Sequence, residues 1–267
     1  MSRLQAKFEQ LAASGRQALI PFITAGDPNP DFTVPMMHEM VKIGVDVIEL
    51  GVPFSDPMAD GPIIQRASER ALEHKMSLRR TLILVEEFRQ QDNITPVVLM
   101  GYLNPIESMG YEAFADACLS AGVDGVLTVD LPPEEAADCI ALFKNRAIDP
   151  IFLLAPNSTN ERIAKMNALG SGYIYYVSLK GVTGAGHLNT DDVAEKLKQI
   201  RAITTIPIGV GFGVKDASTA KAVANVADGV VVGSALIQKI ENNLEDTMTA
   251  KAQIIELLGS MRAAMDD

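Results

Sequence analysis

The sequence predicts a single-domain (β/α)8 TIM barrel over residues 1–267, with extra N-terminal and C-terminal helices. Eight short apolar runs recur along the chain, several almost continuous in Val, Ile and Leu, as parallel strands covered on both faces require. A helical pattern follows each run, and strand–helix alternation favours a parallel sheet. No linker, low-complexity stretch or charge block interrupts the series. A doubly wound open sheet is the rival arrangement of the same elements.

Leu4, Phe8 and Leu11 stand at helical spacing ahead of the first strand. This stretch lacks the apolar centre and small-residue cleavage pattern of a secretion signal. The first strand is expected at 18–24, closed by a turn at Gly26 and Pro28. Helix 30–43 follows, with Phe32, Met36, Met40 and Ile43 on its apolar face. The second strand, 45–50, runs into a loop dense in Pro, Asp and Gly, then helices 62–74 and 78–91. The third, 96–101, ends in Gly101-Tyr102-Leu103-Asn104-Pro105 and leads to helix 111–121. The fourth, 125–129, precedes helix 133–146, which opens on Pro-Pro-Glu-Glu, a strong helix start. Strand 150–155 pairs with helix 159–169, strand 173–178 with helix 191–203, and strand 206–211 with helix 215–226. Strand 229–232 is followed by two helices across about 234–264.

Aromatic residues are 5% of the chain and Trp is absent, so Val, Ile, Leu and Ala must fill the interior. No apolar run is long enough to cross a membrane as a helix. The net charge of −11, with no basic run, argues against nucleic-acid binding. An anionic substrate gains nothing from that field, so local donors must hold it. Cys118 and Cys139 both fall in expected helices, which fits reduced thiols and a cytoplasmic setting. His38, His74 and His187 lack metal-ligand spacing, and no metal is expected.

Active sites of such barrels lie where strands end and the following loops begin. The second run ends near Glu49, and its loop ends in Asp60. Val47 and Glu49 share one strand face, Ile48 and Leu50 the other. An inward Glu49 has a raised pKa and stays neutral near pH 7; the alternative is an exposed glutamate at a loop edge. Asp60 precedes Gly61-Pro62, so it is either a functional carboxylate or a helix cap. Two carboxyls in different settings are raw material for acid–base chemistry. Asp27 and Asp56 read as turn residues, and Asp130 as a cap for the helix after it. Phe22 is either a substrate wall or a core residue. Tyr102, Leu127 and Tyr175 are core residues by type, yet each lies near a strand's C-terminal end. Glycines crowd the last loops: 181–186, 209–213 and Gly233-Ser234. Backbone N–H groups and helix N-termini there can cradle a phosphate; the alternative is tight turns only.

These residues sit in motifs that resemble the alpha subunit of tryptophan synthase over about residues 18 to 240. The matching stretches are PFITAGDP (21–28), ELGVPFSDPMADGP (49–62), GYLNPI (101–106), DGVLTVDLPPEE (124–135), LLAPNST (153–159), GVTGAG (181–186), IGVGFGV (208–214) and DGVVVGSAL (228–236). The resemblance implies a lyase that cleaves indole-3-glycerol phosphate to indole and glyceraldehyde 3-phosphate by a retro-aldol reaction. It implies that Glu49 protonates the indole ring and takes the proton of the glycerol 3′-hydroxyl. Asp60, kept ionised, would hold the ring N–H and its developing positive charge. Phe22, Met100, Leu127, Tyr175 and Phe212 would line the indole pocket, with Tyr102 close to Glu49. Gly184, Gly213, Gly233 and Ser234 would bind the phosphate, and Thr183 would close over the substrate near Asp60.

The same resemblance implies a beta subunit in an α2β2 assembly, facing Asp56, Pro57 and Asn104 and receiving indole directly. Pyridoxal phosphate is expected in that partner, and no cofactor in this chain. Ser178-Leu179-Lys180 stands where Ser-Arg-x is frequent in the family, making Lys180 a candidate phosphate-side cation. Met100 replaces a common Leu at conserved volume. Two competing readings are a subunit that chiefly binds and activates its partner, and another phosphate-binding barrel enzyme. The inward strand positions offer no catalytic Lys or Cys for the latter.

Overall fold

Strands that are apolar on both faces need cover on both, and closing the sheet supplies one of the two. In the computed structural model, which describes residues 2–177, 190–211 and 213–267, eight parallel strands pair in chain order and the last returns to the first. The chain begins with α1 (Arg3–Ala13), β1 (Ala18–Thr24), α2 (Pro30–Lys42) and β2 (Ile48–Gly51). Then come α3 (Pro62–Glu73), α4 (Leu78–Arg89), β3 (Val97–Gly101), α5 (Leu103–Met109), α6 (Tyr111–Ala121) and β4 (Gly125–Thr128). The second half holds α7 (Ala137–Lys144), β5 (Asp149–Leu154), α8 (Asn160–Leu169), β6 (Ile174–Val177) and α9 (Thr190–Arg201). It closes with β7 (Ile208–Gly211), α10 (Ala217–Ala224), β8 (Gly229–Val232), α11 (Ser234–Glu241) and α12 (Thr247–Asp266).

All eight expected strands form, and the closed order excludes the open-sheet rival. Two segments differ from expectation. Helix α5 forms where only a loop was expected, because Asp130 accepts a hydrogen bond from the Leu103 N–H at 2.7 Å. Asp130 therefore caps α5 across the neighbouring loop, not the helix that follows it. Residues 133–135 form a separate turn, closed by the Glu135 N–H on the Pro132 carbonyl at 3.1 Å, so α7 starts only at Ala137.

Inside the barrel, Ile20, Val47, Val98, Leu127, Ile151, Tyr173 and Val231 pack together with Leu4, Phe8 and Leu11 of α1. Helix α1 thus plugs the end where the strands begin. Arg3 pairs with Asp124 at 2.8 Å and Ser2 bonds Asp149 at 2.5 Å, pinning the plug to the starts of β4 and β5. Three aspartates repeat one motif at this end. Asp46, Asp124 and Asp228 accept the N–H of Leu19, Val97 and Ile208 at 3.0, 2.8 and 2.8 Å. Each donates its own N–H to the carbonyl of that same residue. Each also pairs with an arginine: Arg262 at 3.1 Å, Arg89 at 2.6 Å and Arg201 at 2.9 Å. The opposite end, where the strands finish, carries the loops.

Candidate active site

Strand β2 sets Glu49 in register with Phe22 of β1 and Val98 of β3, so all three face the barrel interior. Glu49 is fully buried, which settles its orientation against the exposed alternative. Burial lifts its pKa from 4.5 to about 8, and a hydrogen bond from the Tyr173 hydroxyl to Oε1 pulls the other way. Oε2 is buried with no hydrogen-bond partner among the described residues. The group is a neutral acid at pH 7 with one oxygen held and the other uncommitted.

A narrow cleft opens at the C-terminal end of β1–β4. Phe22, Asp60, Met100 and Tyr102 line it, together with Thr24, Gly51, Ile64 and Ser68. Glu49 lies two residues deeper along β2 than Gly51, below those walls. Gly51 makes room for an aromatic wall: a Cβ there would stand 2.5 Å from the Phe22 ring. Asp60 does not cap α3, whose N-cap is Gly61. Burial raises its pKa, opposed by the Tyr102 hydroxyl, which donates to the carboxylate and accepts the Ala59 N–H at 3.1 Å. The polar, charge-favouring setting expected for Asp60 is therefore present only in part. Phe54 stacks on Tyr102 with ring centroids 5.3 Å apart, bracing the same loop.

The other expected residues divide into three groups. Leu127 and Tyr175 do not line this cleft: Leu127 is fully buried in the inner cluster and borders a small, mostly apolar pocket beside it, and Tyr175 packs against that cluster. Gly213 follows β7, Gly233 is the N-cap of α11 and Ser234 its first residue, so the free N–H groups of that helix point out of the mouth. Thr183, Gly184, Lys180 and Phe212 lie outside the described residues. Asp56 and Asn104 are exposed and Pro57 half-buried, beside Met58 at 83% exposure.

Sequence reasoning missed Tyr173 and Thr24. Both were legible from alternation, since Tyr173 is two residues before Tyr175 and Thr24 two after Phe22. Thr24 Oγ1 is buried beside the cleft with no hydrogen-bond partner among the described residues. Asp27, expected as a plain turn residue, is buried and paired with Arg70 at 2.7 Å. Among the described residues no cluster of His, Cys, Asp or Glu could hold a metal, and no helix is long and apolar enough to cross a membrane.

Comparisons with known proteins agree with this fold. The family model for tryptophan synthase alpha chain matches residues 8–266. Tryptophan synthase alpha chains of Methylococcus capsulatus and Thioalkalivibrio sulfidiphilus are each 61% identical over 266 residues, covering 100% of both chains. Among solved structures, tryptophan synthase subunit alpha from Legionella pneumophila superposes with a TM-score of 0.93 at 45% identity, covering 100% of this chain and 99% of the other. A tryptophan synthase structure from M. tuberculosis, in an aminoacrylate-bound form, gives a TM-score of 0.88 at 36% identity over 99% and 100%. A buried neutral glutamate beneath a mouth of loops is thus found in a chain that matches its relatives from end to end: it belongs to the tryptophan synthase alpha chain family.

Proposed function

We propose that Glu49 and Asp60 carry the lyase reaction on indole-3-glycerol phosphate that comes with membership of this family. The observation that carries the reading is the Glu49 carboxyl, fully buried, raised to about 8 and with Oε2 lacking a partner among the described residues. A protonated carboxyl can deliver its proton to C3 of the indole ring. The resulting carboxylate accepts the proton of the 3′-hydroxyl as the C3–C3′ bond breaks, leaving indole and an aldehyde. For this the Glu49 side chain turns from Tyr173 toward the cleft. Ring protonation puts positive charge on the indole nitrogen, and Asp60 accepts the ring N–H and offsets that charge.

Phe22, Met100, Leu127, Tyr175 and Phe212 form the apolar pocket, with Tyr102 orienting Asp60. Gly184, Gly213, Gly233 and Ser234 hold the phosphate, and Thr183 closes over the substrate. The chain acts as one domain in the cytoplasm. It docks through Asp56, Pro57 and Asn104 on a beta subunit that carries pyridoxal phosphate, in an α2β2 assembly.

Indole release by the wild type, Glu49→Gln and Asp60→Asn tests the chemistry. Glu49→Gln should abolish turnover while a phosphate analogue still binds. Retention of more than about a tenth of wild-type turnover would reject the assignment, because such groups contribute about 10²-fold or more. Co-purification with a pyridoxal-phosphate beta chain, and a rate change on mixing, tests the partner.

A further inference from the structure

Helix α3 begins directly after Asp60 and turns Ile64 and Ser68 into the cleft. Its other face carries Arg66 and Arg70, four residues apart and so on one side of the helix. Arg70 grips Asp27 with a two-pronged fork, Nε to Oδ1 at 2.7 Å and Nη2 to Oδ2 at 3.0 Å. Its third nitrogen, Nη1, donates to Glu241 at 3.2 Å. Arg66 meets Glu241 with a second fork, at 2.5 and 2.8 Å. Glu241 is the last residue of α11, whose first turn holds Ser234. Asp27 closes the turn after β1, its N–H on the Thr24 carbonyl at 3.2 Å, and its side chain is 0% exposed. A parallel tie joins His74, at the end of α3, to the Pro28 carbonyl at 2.9 Å.

We propose that Arg70 is a positioning residue that fixes the spacing between the Asp60 wall and the N-terminus of α11. This rests on the catalytic reading above, in which the substrate stretches between those two points. Two arginines face two acids, so the network is neutral; each of Arg70's three nitrogens is committed to a carboxylate, and the group holds walls. Buried charge is a poor way to gain stability alone, since apolar packing of equal volume does as well or better. What a guanidinium fork adds is fixed geometry. Two walls of the cleft and a helix beyond it are joined through a single side chain: the β1 turn behind Thr24, α3 behind Asp60, and α11 behind Ser234. Because α11 is one rigid helix, a shift at Glu241 carries to its first turn.

The test compares two ligands on wild type, Arg70→Lys and Glu241→Gln. Indole-3-propyl phosphate spans both ends of the site, and glycerol 3-phosphate occupies the phosphate end alone. Arg70→Lys keeps the charge and loses the fork. It should weaken the spanning ligand about tenfold and lower kcat for indole release, in line with the steep cost of about 1 Å misplacement. Glycerol 3-phosphate affinity should stay within about twofold, and the pH profile set by Glu49 should not move. Glu241→Gln leaves the buried Asp27 pair intact and should show a smaller loss of the same kind, which keeps the test open if Arg70→Lys folds poorly. Equal weakening of both ligands, or of neither, would overturn the proposal. A wild type that releases no indole would remove the catalytic reading and this proposal together. Normal wild-type turnover with an Arg70→Lys enzyme indistinguishable from it would remove this proposal alone.

Discussion

Tyr173→Phe isolates the single hydrogen bond that opposes the raised pKa of Glu49. In the wild type two influences act on this carboxyl: burial pushes it up to about 8, and the Tyr173 hydroxyl pulls it down. Oε2 has no partner among the described residues to share the load. A hydrogen bond to a charged group contributes about 1.5–3 kcal/mol. At about 1.4 kcal/mol per pH unit, losing it should raise the Glu49 pKa by about 1–2 units. In the proposed mechanism Glu49 starts protonated to deliver its proton to the ring, so activity should fall as pH rises through this pKa. The assay is kcat/KM for indole release across pH 6 to 10 or so, which reports the free enzyme. The basic limb should sit near pH 8 in the wild type and about 1–2 units higher in the variant. A limb that stays put, or moves down, would refute the coupling of Tyr173 to Glu49. An acidic limb near pH 8 in its place would show that Glu49 starts as the base.

Glu49→Gln should flatten the pH dependence of stability. The folded pKa, about 8, exceeds the unfolded 4.5, so folding favours the protonated form. That contribution is full below pH 4.5 and is lost as pH rises through 8, a total of about 5 kcal/mol at most. Urea unfolding at pH 5 and 8.5 or so should show the variant gaining on the wild type as pH rises; a constant gap contradicts the burial argument. At the other end of the barrel, Arg89 bonds Asp124 at 2.6 Å and the carbonyls of Asp92, Thr95 and Gly122. Arg89→Ala should cost about 3–5 kcal/mol in a denaturant melt and leave kcat unchanged. Lost kcat at intact stability would place Arg89 in the site and sink that reasoning.

The barrel was legible because its strands are apolar on both faces and its helices on one, so period alone separates them. Glu49 was legible for a related reason: Val47 and Glu49 alternate with Ile48 and Leu50, and closing the sheet turns one pair inward. Asp130 was not, because its capping target lies 27 residues back on another loop. Nor was the Arg70 network, whose partners lie 43 and 171 residues away. A turn aspartate and a helical arginine look ordinary until topology brings them together. Tyr173 drew no attention as one aromatic in an apolar run; it fills the inner core, and only the facing carboxyl gives its hydroxyl a partner.

The three aspartate clamps at the closed end carry a consequence for how the barrel comes apart. They join β1 to β2, β3 to β4 and β7 to β8, always an odd strand to the even one after it. The remaining odd–even pair, β5 with β6, has no such clamp among the described residues; Asp149 spends its oxygens on Ser2 and Ser171 hydroxyls. Mechanically the barrel is three staves riveted by an aspartate–arginine clamp and one pair, β5 with β6, tied beyond its ladder and packing by the Ser171 hydroxyl on Asp149. Of the four odd–even pairs, β5 with β6 should therefore part most easily, and Tyr173, the hydrogen-bond partner of Glu49, stands immediately before β6. The least clamped of these pairs thus borders the residue that holds Glu49, so loosening there reaches that carboxyl through Tyr173.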